Sequence, residues 1–266
     1  MRKQVKFAAV LLVLSLIGAA SWHLLHFPEA EPVYEGKKLT VWLEAAPYGR
    51  YNNQDEWMPF DQWMRAPEKT RFLIRALKTR DNQLRRPYLW IRTNAPTFFA
   101  KRLPVWIDPE RVRISATDWL GQLGPTSKGA VSILCAMAVK DPSREVRRKV
   151  IWALARIDLE SEEVRKVLVT ALSTDADRGV RAAAAGSLEM SGLTPTEEIM
   201  IAFVHGLTDS DPVVREICAA ALGKCGSQAR PALETLQKLA NSDDEAADYA
   251  RSAMRQIEAA APVQEK

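Results

Sequence analysis

The side chains best suited to catalysis or metal binding are few: three histidines (His23, His26, His205) and three cysteines (Cys135, Cys218, Cys225). Structural zinc needs thiolate and imidazole ligands at short, paired spacings, and no Cys-x-x-Cys or Cys/His pair of that kind occurs. Cys218 and Cys225 share what reads as one helix, seven residues apart. That is about 10 Å along the axis, beyond the reach of a disulfide. All three cysteines are expected as small hydrophobes. His205 lies between Val204 and Gly206, and no Gly-x-Ser-x-Gly turn accompanies it, so it reads as a helix-surface histidine. No phosphate-cradling loop or dinucleotide glycine pattern is present. The sequence assigns no catalytic residue, no metal and no cofactor.

The chemistry that remains is ionic. Asp141/Arg147, Asp175/Arg181 and Asp209/Arg215 each stand six residues apart. One reading is a ribbon of arginines that binds an anion. The other is a structural ladder in which each aspartate holds the arginine six residues on, and the in-register repetition of a charge-assisted pair favours it. Arg113 has no acid at that offset, Ala247 takes the arginine's place in the last copy, and Arg178 reads as a cation without a ladder partner. A second ionic feature is a basic patch among aromatics: Arg71, Arg75, Lys78, Arg85, Arg86, Arg92, Lys101 and Arg102 lie among Phe72, Tyr88, Trp90 and Phe98. Basic plus aromatic suits nucleic acid, anionic lipid or an ordinary solvated helix face. The net charge of +4 is small, but residues 71–113 carry +8 and residues 157–266 carry −8. The molecule is expected to be an electric dipole along its length.

These groups are carried by a repeat. Segments starting at Val112, Val146, Val180 and Val214 recur every 34 residues. Four residues on come Ala116, Val150, Ala184 and Cys218; eight on come Leu120, Leu154, Leu188 and Leu222. Such offsets mark one face of a helix. A shortened fifth copy begins at Ala246, with Ala250, Ala253 and Met254. Gly124, Gly192 and Gly226 follow these helices, where left-handed caps are expected. Between them lie second amphipathic segments near residues 127–139, 162–172, 196–207 and 230–240, with Asp141-Pro142 and Asp211-Pro212 in the turns. Helix pairs that bury their apolar faces only against neighbours form an α-solenoid. The fold class expected is all-α: a right-handed superhelix of about five helix pairs over residues 108–259.

The pattern Asp-Pro-x-x-x-Val-Arg-x-x-x-x-x-Ala-Leu, seen at Asp141–Leu154, resembles the second helix of HEAT repeats, including the short bacterial type found in phycobilisome lyases. The stretch Tyr34-Glu-Gly-Lys-Lys-Leu-Thr-Val-Trp42-Leu is similar to the opening of exported bacterial HEAT proteins. The resemblance implies a protein-binding scaffold without chemistry of its own. Enzymes with such repeats are known, but a HEAT hydroxylase would need His-Glu pairs, which are missing. A HEAT-type lyase remains as an alternative function, beside lipid or nucleic-acid binding through residues 71–102.

The remaining regions set the compartment. Arg2, Lys3 and Lys6 precede an uncharged run from Phe7 to Phe27, the pattern of an export signal or signal-anchor. Residues 28–266 are then expected outside the cytoplasm, either anchored in a bacterial inner membrane or released into the periplasm. Residues 28–50 read as a linker with one short helix at 39–46, and residues 51–107 as an irregular helical cap. Trp57, Phe60 and Trp63 in it could seal the end of the solenoid or dock a partner. Residues 260–266 read as a tail. The partners expected are an unidentified protein and an anionic membrane surface, with no nucleic acid.

Overall fold

The computed structural model describes residues 33–34, 37–45, 69–80, 85–94, 96, 107–190 and 195–260. The N-terminal apolar run, the aromatic trio Trp57, Phe60 and Trp63, Lys101, Arg102, Gly192 and the tail lie outside these residues. In chain order come a two-residue hairpin, β1 (Val33–Tyr34) and β2 (Lys37–Lys38), then α1 (Leu39–Ala45), α2 (Lys69–Ala76) and α3 (Arg85–Asn94). The repeats follow as α4 (Pro109–Leu123), α5 (Val131–Lys140), α6 (Arg144–Asp158), α7 (Glu162–Thr174), α8 (Arg178–Glu189), α9 (Glu197–Gly206), α10 (Pro212–Lys224), α11 (Leu233–Ala240) and α12 (Ala247–Ala259). Seven-residue 3-10 segments, Gly124–Ala130 and Gly226–Ala232, lead into α5 and α11.

The helices pair in sequence order: α5 on α6, α7 on α8, α9 on α10, α11 on α12. Successive second helices stack as α4, α6, α8, α10 and α12, and that layer packs more extensively than the layer of first helices. The 34-residue register is the core itself. Val112, Val146, Val180 and Val214 are fully buried, as are Ala116, Val150, Ala184 and Cys218. Each large apolar side chain so buried contributes roughly 1.5–3 kcal/mol of transfer free energy. Small residues permit close approach between second helices. A methyl placed on Gly121 would stand 3.1 Å from Ala153 Cα, and one on Gly223 would stand 3.0 Å from Ala253 Cα.

Helix starts follow local chemistry. Asp108, Ser143, Asp177, Thr196 and Asp211 cap α4, α6, α8, α9 and α10 with side-chain oxygens that accept from backbone N–H groups. Pro212 occupies the first turn of α10, where its missing N–H costs nothing, whereas Pro142 precedes the cap of α6 and stands outside the helix. Gly124 and Gly226 both have φ of +57°, the conformation that lets the chain leave α4 and α10 sharply.

The ends of the stack are built differently. On α4, Ser115 occupies the register position at which Lys149 of α6 reaches back to the preceding helix. There it donates to the Leu43 carbonyl of α1, and Glu44 accepts from the Asp108 N–H at 3.2 Å. With Leu43 fully buried, the short helix expected in the linker covers the first face of the stack. Segment 69–80 acts as the first helix of the first pair: Phe72, Leu73, Ala76 and Leu77 are buried, and α2 packs on α4. At the other end, Arg251, Arg255 and Glu258 of α12 are exposed, giving the polar outer face that a terminal repeat needs.

Candidate protein-binding face

The edge of the stack where second helices begin carries the charged residues singled out in the sequence. The ladder exists there in another register. Arg147 grips Asp175, not the carboxylate of Asp141, through Nε to Oδ2 at 2.8 Å and Nη2 to Oδ1 at 2.9 Å. Arg181 grips Asp209 in the same fork at 2.7 and 2.8 Å, and Arg215 reaches Asp244 at 2.6 Å. Arg113, expected to lack an acid, lies 2.9 Å from Asp141 with both side chains almost fully buried. Each arginine therefore reaches forward into the next unit. The aspartate six residues before it contributes only its backbone carbonyl: Asp141 O to Arg147 Nη1 at 3.0 Å, Asp175 O to Arg181 at 2.9 Å, Asp209 O to Arg215 at 2.6 Å. For Arg113 that carbonyl is Thr79 O at 2.9 Å. The physical reason is reach, because a short aspartate at a turn cannot bend back onto its own helix. Its carboxylate instead accepts the N–H two residues on, at 3.0, 2.8, 2.8 and 2.8 Å for Asp141, Asp175, Asp209 and Asp244.

The two ends of the pattern differ from its middle. In the fifth copy Ala247 stands at the arginine's position. In the first unit Thr79 takes the aspartate's place, its carbonyl holding Arg113 as Asp141, Asp175 and Asp209 hold the later arginines. Arg178, expected without a partner, makes a second and weaker rail: Nη1 lies 3.1 Å from Asp211 Oδ2, with the arginine 78% exposed. Arg144 does the same with Asp177 at 3.5 Å. The ladder arginines are thus consumed inside the fold, and an anion-binding ribbon has no free guanidinium to use. Burial alone would raise the carboxyl of Asp175, but the hydrogen bonds from Arg147 and the Asp177 N–H outweigh it and hold the group below the usual range. Asp209 is held down in the same way by Arg181 and the Asp211 N–H.

The layer of second helices presents large apolar side chains to solvent: Trp152 on α6, Met190 just past α8, Val213 on α10 and Tyr249 on α12. Trp152 is 39% exposed. Its ring edge comes within 3.8 Å of the place a Cβ would take on Gly186, so the indole spans from α6 to the neighbouring helix α8. Arg148 and Arg156 flank it one turn away on either side, both exposed. This surface was not singled out in the sequence. The signal was available in the register, where Asp118, Trp152, Gly186 and Ala220 share one position, but exposure cannot be read from a pattern of one tryptophan.

The basic patch is brought together only in part. Arg71 and Lys78 are exposed and Arg75 is half-buried around α2. Arg85, Arg86 and Arg92 lie on α3 beside Leu89 and Trp90, and Trp90 is 68% exposed. His205 is exposed on α9, in an open groove with Val169, Ser173 and Ile201. The thiols are poor nucleophiles. Burial and the neighbouring Glu163 push Cys135 up to about 11, and burial raises Cys218 and Cys225. Among the described residues, no group of His, Cys, Asp and Glu is placed to hold a metal, and no helix is long and apolar enough to cross a membrane.

Comparison with known proteins places the repeat. The family model described as HEAT repeats matches residues 107–189, from just before the cap of α4 to the end of α8, so this stretch is similar to HEAT repeats. None of the curated proteins matches it. Among solved structures, an engineered protein is 22% identical over 73% of this chain and 97% of its own, with a TM-score of 0.44. A set of computationally designed armadillo repeat proteins for modular peptide recognition is 18% identical over 70% and 98%, with a TM-score of 0.42.

Proposed function

We propose that this HEAT-repeat chain is a non-catalytic scaffold that holds a protein partner on the face formed by its second helices. One observation carries the reading: along the layer of second helices, α6, α10, α12 and the residue just past α8 each expose a large apolar side chain (Trp152, Val213, Tyr249, Met190). Exposed aromatic and apolar anchors set among charged residues have the composition of binding hot spots. The test is photocrosslinking in the native cell, with a photoreactive residue placed at Val213 or Met190 on this face and at Val139 or Ile201 on the first-helix face. Crosslinks from Val213 and Met190 support the reading; crosslinks from Val139 and Ile201 alone would refute it.

The scaffold is further proposed to work on the outer side of a bacterial inner membrane. Support comes from Arg2, Lys3 and Lys6 ahead of the uncharged run to Phe27, since positive flanks stay inside. Protease added to intact spheroplasts should digest the repeats, and protection of the repeats would count against this topology. A second reading, binding of an anionic membrane surface, is favoured by the exposed Leu89 and Trp90 on a helix bearing Arg85, Arg86 and Arg92. It requires sedimentation with phosphatidylglycerol vesicles but not phosphatidylcholine vesicles, lost on Trp90→Ala.

A further inference from the structure

We propose that the Trp152 platform recognises an extended polypeptide segment of acidic-x-aromatic-x-acidic pattern laid along α6. This rests on the scaffold reading and names the class of its partner. The edge of the indole reaches the α8 backbone, with Cη2 3.8 Å from the place a Cβ would take on Gly186, and Met190, one turn past that glycine, is also exposed. Such a surface takes an aromatic ring or a large apolar side chain. Charge then selects what flanks that group. The acids bordering the platform are already engaged: Asp118 by Lys149 at 3.0 Å, Glu145 by Arg148 at 2.6 Å, and Glu189 by Lys224 at 2.6 Å. Arg156 is exposed, and its side chain makes no ion pair or hydrogen bond among the described residues. The platform therefore keeps an uncompensated positive charge. Arg148 meets Glu145 through Nη2 at 2.6 Å in a pair exposed on both sides, so its other guanidinium donors can reach a second carboxylate without releasing the first.

Spacing fixes the pattern. Arg148, Trp152 and Arg156 rise along α6 in steps of four residues, about 6 Å each. In an extended chain the residues i, i+2 and i+4 share one face at steps of about 6.6 Å. An aromatic group at i+2 on Trp152 thus brings carboxylates at i and i+4 within reach of the two flexible guanidinium groups. A helical ligand would carry the same groups four residues apart, a different sequence pattern.

The probe is a labelled, end-blocked peptide, Gly-Glu-Gly-Phe-Gly-Glu-Gly, followed by fluorescence anisotropy against the full chain in detergent. Its counterpart carries lysine at both glutamate positions. The acidic peptide should bind at least tenfold tighter than the lysine peptide. Trp152→Ala and Arg156→Glu should each weaken it at least tenfold, whereas Arg230→Glu, in the 3-10 segment before α11, should leave it unchanged. Arg156 is exposed and makes no ion pair among the described residues, so its variant keeps the test valid if Trp152→Ala destabilises the fold. Equal binding of both peptides, or unchanged affinity in both platform variants, would overturn the proposal. Failure of the peptide while Val213 still crosslinks would overturn this ligand class and leave the scaffold reading standing. Crosslinks confined to Val139 and Ile201 would remove the scaffold reading and the proposal with it.

Discussion

Replacing Arg181 by alanine tests whether the forward ladder holds the units together. Arg181 makes a two-pronged contact to Asp209 at 2.7 and 2.8 Å, bonds the Asp175 carbonyl at 2.9 Å, and reaches Ser210 Oγ at 3.2 Å. Its side chain is 12% exposed and that of Asp209 is 11% exposed. Removing the guanidinium leaves a desolvated carboxylate with the Asp211 N–H and the Ser210 hydroxyl as its remaining donors. Breaking buried pairs costs about 3–5 kcal/mol; with a little solvent access and those neutral donors, the cost here should be about 3 kcal/mol. The comparison variant is Arg178→Ala, which removes the same charge from the same helix but a single contact at 3.1 Å from a mostly exposed arginine. Exposed pairs contribute about 0–1 kcal/mol. At roughly 2–4 °C per kcal/mol for a chain of this size, Arg181→Ala should melt several degrees below Arg178→Ala. Paired urea and thermal unfolding followed by circular dichroism reads the difference. Because solenoid contacts are nearest-neighbour, hydrogen exchange should quicken in α8 and α10 before α4. Equal melting temperatures would show that the ladder is decorative, and uniform quickening along the chain would show that its effect is not carried unit to unit.

Acidification should reproduce the loss without mutation. The carboxyls of Asp175 and Asp209 lie below their usual value in the fold, so their stabilisation is complete above the unfolded value of about 3.9 and disappears as pH falls through the folded values; urea midpoints should drop steeply below pH 4 and stay level between pH 5 and 7. Ser187→Ala should stabilise by about 1 kcal/mol in urea unfolding, since its buried hydroxyl has no hydrogen-bond partner among the described residues and Ala153 and Ala221 hold the equivalent positions. Gly223→Val should loosen α10 from α12, because even one added methyl carbon would stand 3.0 Å from Ala253 Cα; proteolysis starting at α12 is the readout. Cys218, buried with its thiol pushed up, should react with a disulfide reagent only at the rate of unfolding, and fast labelling of the native protein would contradict the packing.

The repeat was legible because one period serves two purposes. The residues at offsets 0, 4 and 8 are both the helix face and the inter-unit core, so Val146, Val150 and Leu154 announce packing directly. The ladder was legible as residue types and not as contacts. A six-residue spacing within one copy is visible in the chain, but the true pairs span 28 residues from Arg113 to Asp141, Arg147 to Asp175 and Arg181 to Asp209, and 29 from Arg215 to Asp244. Both spacings repeat with the same period, and only the direction of the arginine side chain separates them. The first pair was hidden for a different reason. Thr79 and Pro109 meet through space, with Thr79 Oγ1 3.5 Å from the Pro109 carbonyl, although 29 residues that include α3 lie between them. An insertion inside a unit breaks the period at the place where the stack begins.

The same arrangement decides which surface is left for a partner. Ladder arginines and N-cap aspartates spend their charge on the edge where second helices start, joining Arg113 to Asp141 and onward to Asp244. An edge tied up in this way presents few free groups and resists being pulled apart. The faces of the second helices are under no such constraint, because their inward residues already complete the core and the close helix spacing depends on Gly121, Ala153, Gly223 and Ala253. Outward positions can therefore differ from unit to unit without loss of the stack. Asp118, Trp152, Gly186 and Ala220 do differ, at one shared register position. Variation at that position changes recognition while the invariant valines and the ladder keep the geometry. The single tryptophan there, its ring edge reaching the single glycine, is the departure from repetition that a specific partner would read.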